Sequence, residues 1–279
     1  MTAASAIRIS FSKLPDAYKP GVTVEVGGVP VLFETDDPEF CAMIESRYSV
    51  FVNSSAPPAY RFKVQLISSR KPSDKDVLVS RNGPLWTIER GDFRAECDLQ
   101  KRTGTVLQSR NPYSIDTLLR ILHSLVLAEQ GGFLLHAASA IAGGRSFLFA
   151  GVSGAGKTTL SRFAPPSVTV LTDEISYVRR DGKGYRAYGT PFAGELARVG
   201  ENVSAPLAAL YLLAKGPVNR IEQVEPMVAA RALMRHTLFF AQDHELVKKV
   251  FDSVITFVSR VNPARLTFAP DERVWDLIG

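Results

Sequence analysis

The sequence predicts an α/β chain: a mixed-sheet unit built on a phosphate-loop motif and preceded by a small antiparallel α+β unit. Three observations carry this. The first 110 residues or so alternate like strands and are broken by turn residues. Near Asn111-Pro112 the texture changes to strands mixed with helical spacing. A glycine-rich stretch, GVSGAGKTT at 151–159, then joins an apolar strand to a helix-forming segment. The expected division is therefore residues 1–111 and 112–279.

In the first unit, VTVEV (22–26), VPVLF (29–33), YRFKVQLI (60–67), LWTIE (85–89) and FRAECDL (93–99) are strand-like. Gly27-Gly28, Pro57-Pro58, Asn82-Gly83-Pro84 and Gly91-Asp92 punctuate them. Asp37-Pro38 opens one helix, to about Tyr48. No residue set in this unit suggests chemistry, and its role is open.

In the second unit, Ile115, Leu118, Leu119, Leu122, Leu125 and Val126 fall at helical spacing as far as Gln130, before the Gly131-Gly132 stop. GFLLHAASAI and SFLFAG form a hairpin about Gly143-Gly144. SVTVLTDE (167–174) is a strand ending in two acids, and Asp181-Gly182 turns another hairpin. AALYLLA (208–214) is a buried strand and RLTFAP (265–270) a last one; 226–236 and 245–261 are amphipathic helices.

Composition excludes several classes. With 46% hydrophobic and 22% charged residues, the chain can bury a large core and is not disordered. A net charge of +5 is scattered, with no basic stripe interleaved with aromatics, so nucleic acid is not an expected partner. No apolar run is long enough to span a membrane, and the N-terminus lacks a signal pattern. Two distant cysteines, Cys41 and Cys97, fit a reducing, cytoplasmic setting. Phe239-Phe240 and Trp275 read as core.

Gly151-x-x-x-x-Gly156-Lys157-Thr158 satisfies the Walker A pattern. Backbone N–H groups of Gly151, Ser153, Gly154, Ala155, Gly156 and Thr159 are placed to curl round phosphates, which only a glycine-rich chain permits. Lys157 is expected on the β- and γ-phosphates of ATP and Thr158 on Mg²⁺. A dinucleotide G-x-G-x-x-G reading fails, because Thr159 stands where a third glycine is wanted.

Asp173 and Glu174 end a strand, where ligands of this fold class sit. One can hold the cation and the other take a proton from an attacking hydroxyl. If Gly143-Gly144 is a two-residue turn, Ala142 pairs with Arg145 and counting back sets His136 opposite Gly151. That register brings an imidazole beside the loop. His123, His236 and His244 have no such placement and read as structural.

GVSGAGKTTLS resembles the phosphate loop of ATP-dependent phosphoenolpyruvate carboxykinase. The series LLHAASAI, GVSGAGKTT, LTDE and TPFAGE resembles the kinase domain of HPr kinase/phosphorylase, and most of all the shorter HPr-kinase-related proteins that accompany peptide-modification systems such as lasso-peptide biosynthesis. The likeness covers about 112–279, most firmly 131–197. It implies an HPr-kinase-like, ATP- and Mg²⁺-dependent kinase acting on a Ser of a protein or peptide. By that resemblance Asp173 is the general base with His136 assisting, Thr158 and Glu174 serve the metal, Glu195 is a further metal or substrate contact, and Arg198 answers transition-state charge. A homo-oligomer is also implied.

Two departures are visible: the acidic pair is Asp-Glu, not Asp-Asp, and the long glycine-bearing signature for engaging HPr is missing. A carboxykinase would need a second large domain. The alternative is a nucleotide-binding partner that gates a peptide-modifying complex without phosphotransfer. A GTPase is disfavoured because no N-K-x-D guanine signature occurs.

Overall fold

The computed structural model describes residues 20–68, 76–193 and 199–278. Two mixed sheets make up the molecule. The first holds β1 (Gly21–Val26), β2 (Val29–Glu34), β3 (Tyr60–Leu66), β4 (Leu78–Asn82), β5 (Leu85–Arg90), β6 (Phe93–Asp98) and β7 (Thr103–Gln108). Their spatial order is β1-β2-β3-β7-β6-β5-β4. Helix α1 (Pro38–Arg47) lies between β2 and β3. It starts where sequence logic puts it: Pro38 occupies the first turn and the Asp37 carboxylate accepts the Phe40 N–H at 2.9 Å.

The expected antiparallel arrangement of this unit is corrected. β3 runs parallel to both of its neighbours, β2 and β7. The reason is the connection. The chain from Glu34 to Tyr60 contains α1, and a crossover of that length returns the chain in the same direction, whereas a hairpin would reverse it.

The second sheet follows α2 (Tyr113–Glu129). It contains β8 (Phe133–Ala142), β9 (Arg145–Ala150), β10 (Thr169–Thr172), β11 (Ile175–Asp181), β12 (Gly184–Tyr188), β13 (Ser204–Lys215), β14 (Arg220–Gln223), β15 (Thr237–Leu238) and β16 (Pro263–Phe268). Helices α3 (Lys157–Arg162), α4 (Pro226–Met234) and α5 (His244–Val258) interrupt it. The long strand β8 organises the sheet. One edge pairs with β10 and then β11; the other pairs with β9 and then β15. β11 continues to β12, β12 to β13, and β13 to β9. The pairings β8-β11-β12-β13-β9-β8 therefore close a circuit.

The Gly143-Gly144 hairpin has the expected register: Ala142 faces Arg145, and the ladder runs to Ala137 facing Ala150. Both glycines take positive φ, as a two-residue turn between twisted strands requires. Helix α3 spans only six residues, with Pro165-Pro166 close behind it.

Helix α2 is buried on nearly every face, as its Leu- and Ile-rich sequence demands. Its residues Ile115, Leu118 and Leu122 belong to one apolar cluster with Val22 and Phe62 of the first sheet, Tyr177 of the second, and Val250 of α5. A second cluster joins Phe133 and Leu135 to α4 and α5, and a third joins Phe149, Leu160 and Trp275. Phe239 and Phe240 are half-buried against the first cluster, and Trp275 lies within the third. Cys41 and Cys97 are free and buried, and burial raises both thiol pKa values, that of Cys97 to about 12. No helix of the described residues is long and apolar enough to cross a membrane.

Candidate functional site

Strand β9 delivers the chain at Ala150 into the loop 151–156, and the loop ends at the first turn of α3. Gly154 and Gly156 stand at φ 76° and 109°, a region that side-chain-bearing residues avoid. Gly156 has a second constraint: a Cβ there would come within 2.6 Å of the Phe268 ring. The loop closes on itself through the Ala155 N–H, which donates to the Val152 carbonyl at 3.0 Å. Lys157, only 8% exposed, folds back so that its Nζ donates to the Gly151 carbonyl at 3.0 Å.

A second loop faces the first. β10 and β11 run along the same edge of β8, and Asp173-Glu174 forms the kink between them. Side chains fix this kink. Thr172 Oγ1 accepts the N–H of Glu174 at 3.1 Å and of Ile175 at 3.2 Å. Thr190 Oγ1 donates to the Ile175 carbonyl at 2.7 Å, and Ser176 Oγ donates to the Ala137 carbonyl at 2.8 Å. The Asp173 side chain is buried; Glu174 is half-buried.

His136 sits on β8 opposite Ile175, one residue beyond the end of the β8–β9 ladder. Its Nδ1 is 3.4 Å from Oε1 of Glu174. Burial lowers its pKa below the usual histidine value. Glu174 opposes that shift, while Lys157 and Arg120 add to it. The ring is therefore neutral at pH 7.

These pieces meet in a cleft of about 450 Å³ lined by His136, Ser153, Gly154, Gly156, Lys157, Thr158, Thr159, Asp173, Glu174 and Lys215. Gly151 and Ala155 belong to the loop behind it. The structure thus brings together every candidate site residue of the sequence among those described. Glu195 and Arg198 lie outside the described residues.

Three residues were not legible as site residues. His236 accepts the His136 N–H at its carbonyl, at 2.7 Å. Its imidazole pKa is lowered by burial first, then by Lys157 and His136, so its ring lies within electrostatic reach of both. β15, only two residues long, carries the chain back to β8 and sets His236 beside His136, a backbone contact in keeping with a structural role. Lys215 ends β13, whose parallel pairing with β9 brings the carboxyl ends of both strands to one place. Arg120, half-buried on α2, stacks its guanidinium 5.0 Å from the Phe192 ring, and its Nε has no hydrogen-bond partner among the described residues.

The residues present suit a bound nucleotide triphosphate with a divalent cation. Lys157, Thr158 and the glycine-rich loop line one cleft with the carboxylates of Asp173 and Glu174, residue types that can hold phosphate and a divalent cation. Among the described residues no group of three or more His, Cys, Asp and Glu forms a metal cage.

Among curated proteins, none matches the chain. One solved structure that aligns with it is the Hpr(Ser) kinase/phosphatase from Coxiella burnetii, at 9% identity and a TM-score of 0.26, covering 48% of this chain and 84% of that one. A likeness of that degree decides nothing about this chain. The family described as SynChlorMet cassette protein ScmC matches residues 97–278, from the end of β6 almost to the last residue. That span is well over half of the sequence and includes the whole cleft, and the chain belongs to this family.

Proposed function

We propose that this protein is a Mg²⁺-dependent kinase that transfers the γ-phosphoryl group of ATP to a Ser hydroxyl of a protein or peptide. The observation that carries the reading is the shared cleft: the loop with Lys157 and Thr158 on one side, the Asp173-Glu174 kink with His136 on the other.

In this reading the loop amides and Lys157 hold the phosphate oxygens; Thr158 and Glu174 would hold Mg²⁺, which would supply neutralisation of phosphate charge. Asp173 takes the proton of the acceptor hydroxyl. That oxygen forms a bond to the γ-phosphorus as the bond to the β–γ bridging oxygen breaks, leaving ADP. Lys157 stabilises the charge that collects on the leaving oxygen. His136 enters as a neutral imidazole, which orients Glu174 without adding a positive charge that would compete with the cation. Burial of Lys157 and Asp173 strengthens each of these electrostatic interactions, because little water screens them.

The test is transfer from γ-labelled ATP with Mg²⁺ to Ser-containing peptides. Wild type should label them and Asp173→Asn should lose at least a hundredfold in rate while binding ADP normally. Lys157→Ala should weaken ATP binding ten- to a hundredfold, the equivalent of about 1.5–3 kcal/mol for a hydrogen bond to a charged group. Nucleotide binding without labelling, indifferent to Asp173, would replace this reading with that of a nucleotide-gated partner.

A further inference from the structure

Next to the cleft lies a second cavity, a groove of about 590 Å³. Its floor is β10, at Thr169, Val170 and Thr172; the chain after α3 forms one side and residues 199–203 form the other. Asp173 is the one residue that lines both spaces. A group bound in the groove and a phosphate bound in the cleft would therefore meet at the same carboxylate, from two sides. In-line phosphoryl transfer needs that geometry, since the attacking oxygen and the leaving oxygen lie on opposite sides of the phosphorus.

Two features identify what the groove takes. β10 is the last strand of its sheet, and among the described residues it pairs only with β8. The neighbouring chain reaches its other edge at Leu171, where the Thr190 N–H donates to its carbonyl at 3.4 Å and Gly200 packs so closely that a Cβ would meet the same carbonyl. The stretch 168–170 is left facing the groove. A strand edge beside a groove binds an extended chain by main-chain hydrogen bonds, while side chains choose the sequence. The second feature is the lining. Val168, Val170, Val199 and Val203 give it apolar positions between polar ones such as Thr169 and Thr172, and its charged residues are Arg162, Asp173 and Glu201.

We infer that the groove binds the acceptor as an extended peptide laid along the β10 edge, with small apolar residues flanking a Ser whose hydroxyl reaches Asp173. This inference rests on the kinase reading. The step itself is the one given above: the Ser proton passes to Asp173 and the Ser oxygen takes the phosphoryl group.

The experiment uses the full chain, Mg²⁺, γ-labelled ATP and an arrayed library of ten-residue peptides with a central Ser. Two variants fill or charge the groove: Val170→Trp at its floor, and Val203→Glu on its exposed rim, where a substitution costs the fold little. Thermal melting and the affinity for fluorescent ADP report on folding and on the cleft. The expected result has three parts: wild type prefers peptides with apolar residues beside Ser; both variants lose at least tenfold in labelling, mainly through KM; ADP affinity stays within twofold. If both variants label like wild type while Asp173→Asn does not, the acceptor enters elsewhere and the kinase reading survives. If wild type labels no peptide while binding ATP, the kinase reading falls and this inference with it.

Discussion

His123 is fully buried, neither ring nitrogen has a hydrogen-bond partner among the described residues, and its ring meets that of Tyr177 edge to face. Burial pushes its pKa down to about 3. The unfolded chain, with an ordinary histidine near 6.5, takes up a proton that the folded chain refuses. The stabilisation is complete above about pH 6.5 and is lost as the pH falls from there towards 3. His123→Leu removes both this dependence and two unsatisfied polar atoms. Between pH 7 and pH 5 the wild type should lose about 2 kcal/mol more than the variant, read from denaturant midpoints at each pH. Equal pH slopes for the two proteins would show that this residue is solvated. The contrast with His136 is instructive. Both histidines lie among apolar neighbours in sequence, and only the strand register distinguished the one beside the loop from the one sealed in α2.

At the scale of elements, the loop 151–156 depends on glycine for two separate reasons, and Gly156 combines them. Its φ of 109° penalises any side chain, and Phe268 occupies the space a Cβ would need. Gly156→Ala should lower stability by about 1–3 kcal/mol, the range for strained backbone. It should also displace Lys157, the next residue, and so abolish ADP binding; melting and titration test the two effects separately. Normal ADP affinity in this variant would mean that the loop does not hold phosphate. The loop, the hairpin before it and the acidic kink were legible because each is written in local sequence: a glycine pattern, a two-glycine turn, a strand ending in acids. What local sequence hides is which distant elements come to rest beside these. The parallel course of β3 follows from a crossover whose return direction no short pattern encodes. The place of His236 follows from α4 handing the chain to a two-residue strand, too short for any periodicity to mark. Lys215 reaches the cleft because β13 runs parallel to β9, a long-range pairing.

The whole molecule is held together across the two sheets by α2. Asp116 on this helix accepts hydrogen bonds from Arg47 and from the hydroxyl of Tyr48, both at the C-terminal end of α1. The bond to Asp116 raises the Arg47 pKa, and burial raises that of the Tyr48 phenol. Asp116→Ala strands a guanidinium and a phenol in a largely buried place. It should cost about 2–4 kcal/mol, less than a fully buried pair because Arg47 keeps some contact with water. A single cooperative unfolding transition, shifted as a whole, is the expected calorimetric trace, since one apolar cluster runs from Val22 through α2 to Val250. Two transitions, with only one displaced, would show the sheets melting independently.

The closed circuit of strands around β8 sets a limit on how the site can adapt. A strand in an open sheet can shift by one position against a single neighbour. In a ring, each such slip must be passed on through β11, β12, β13 and β9 until it returns to its origin, and every side chain on the way would change faces. His136 and the start of β11 are thus clamped at a fixed separation. Whatever adjustment the site makes falls to the two bends, 151–156 and 173–174, that project from the hoop.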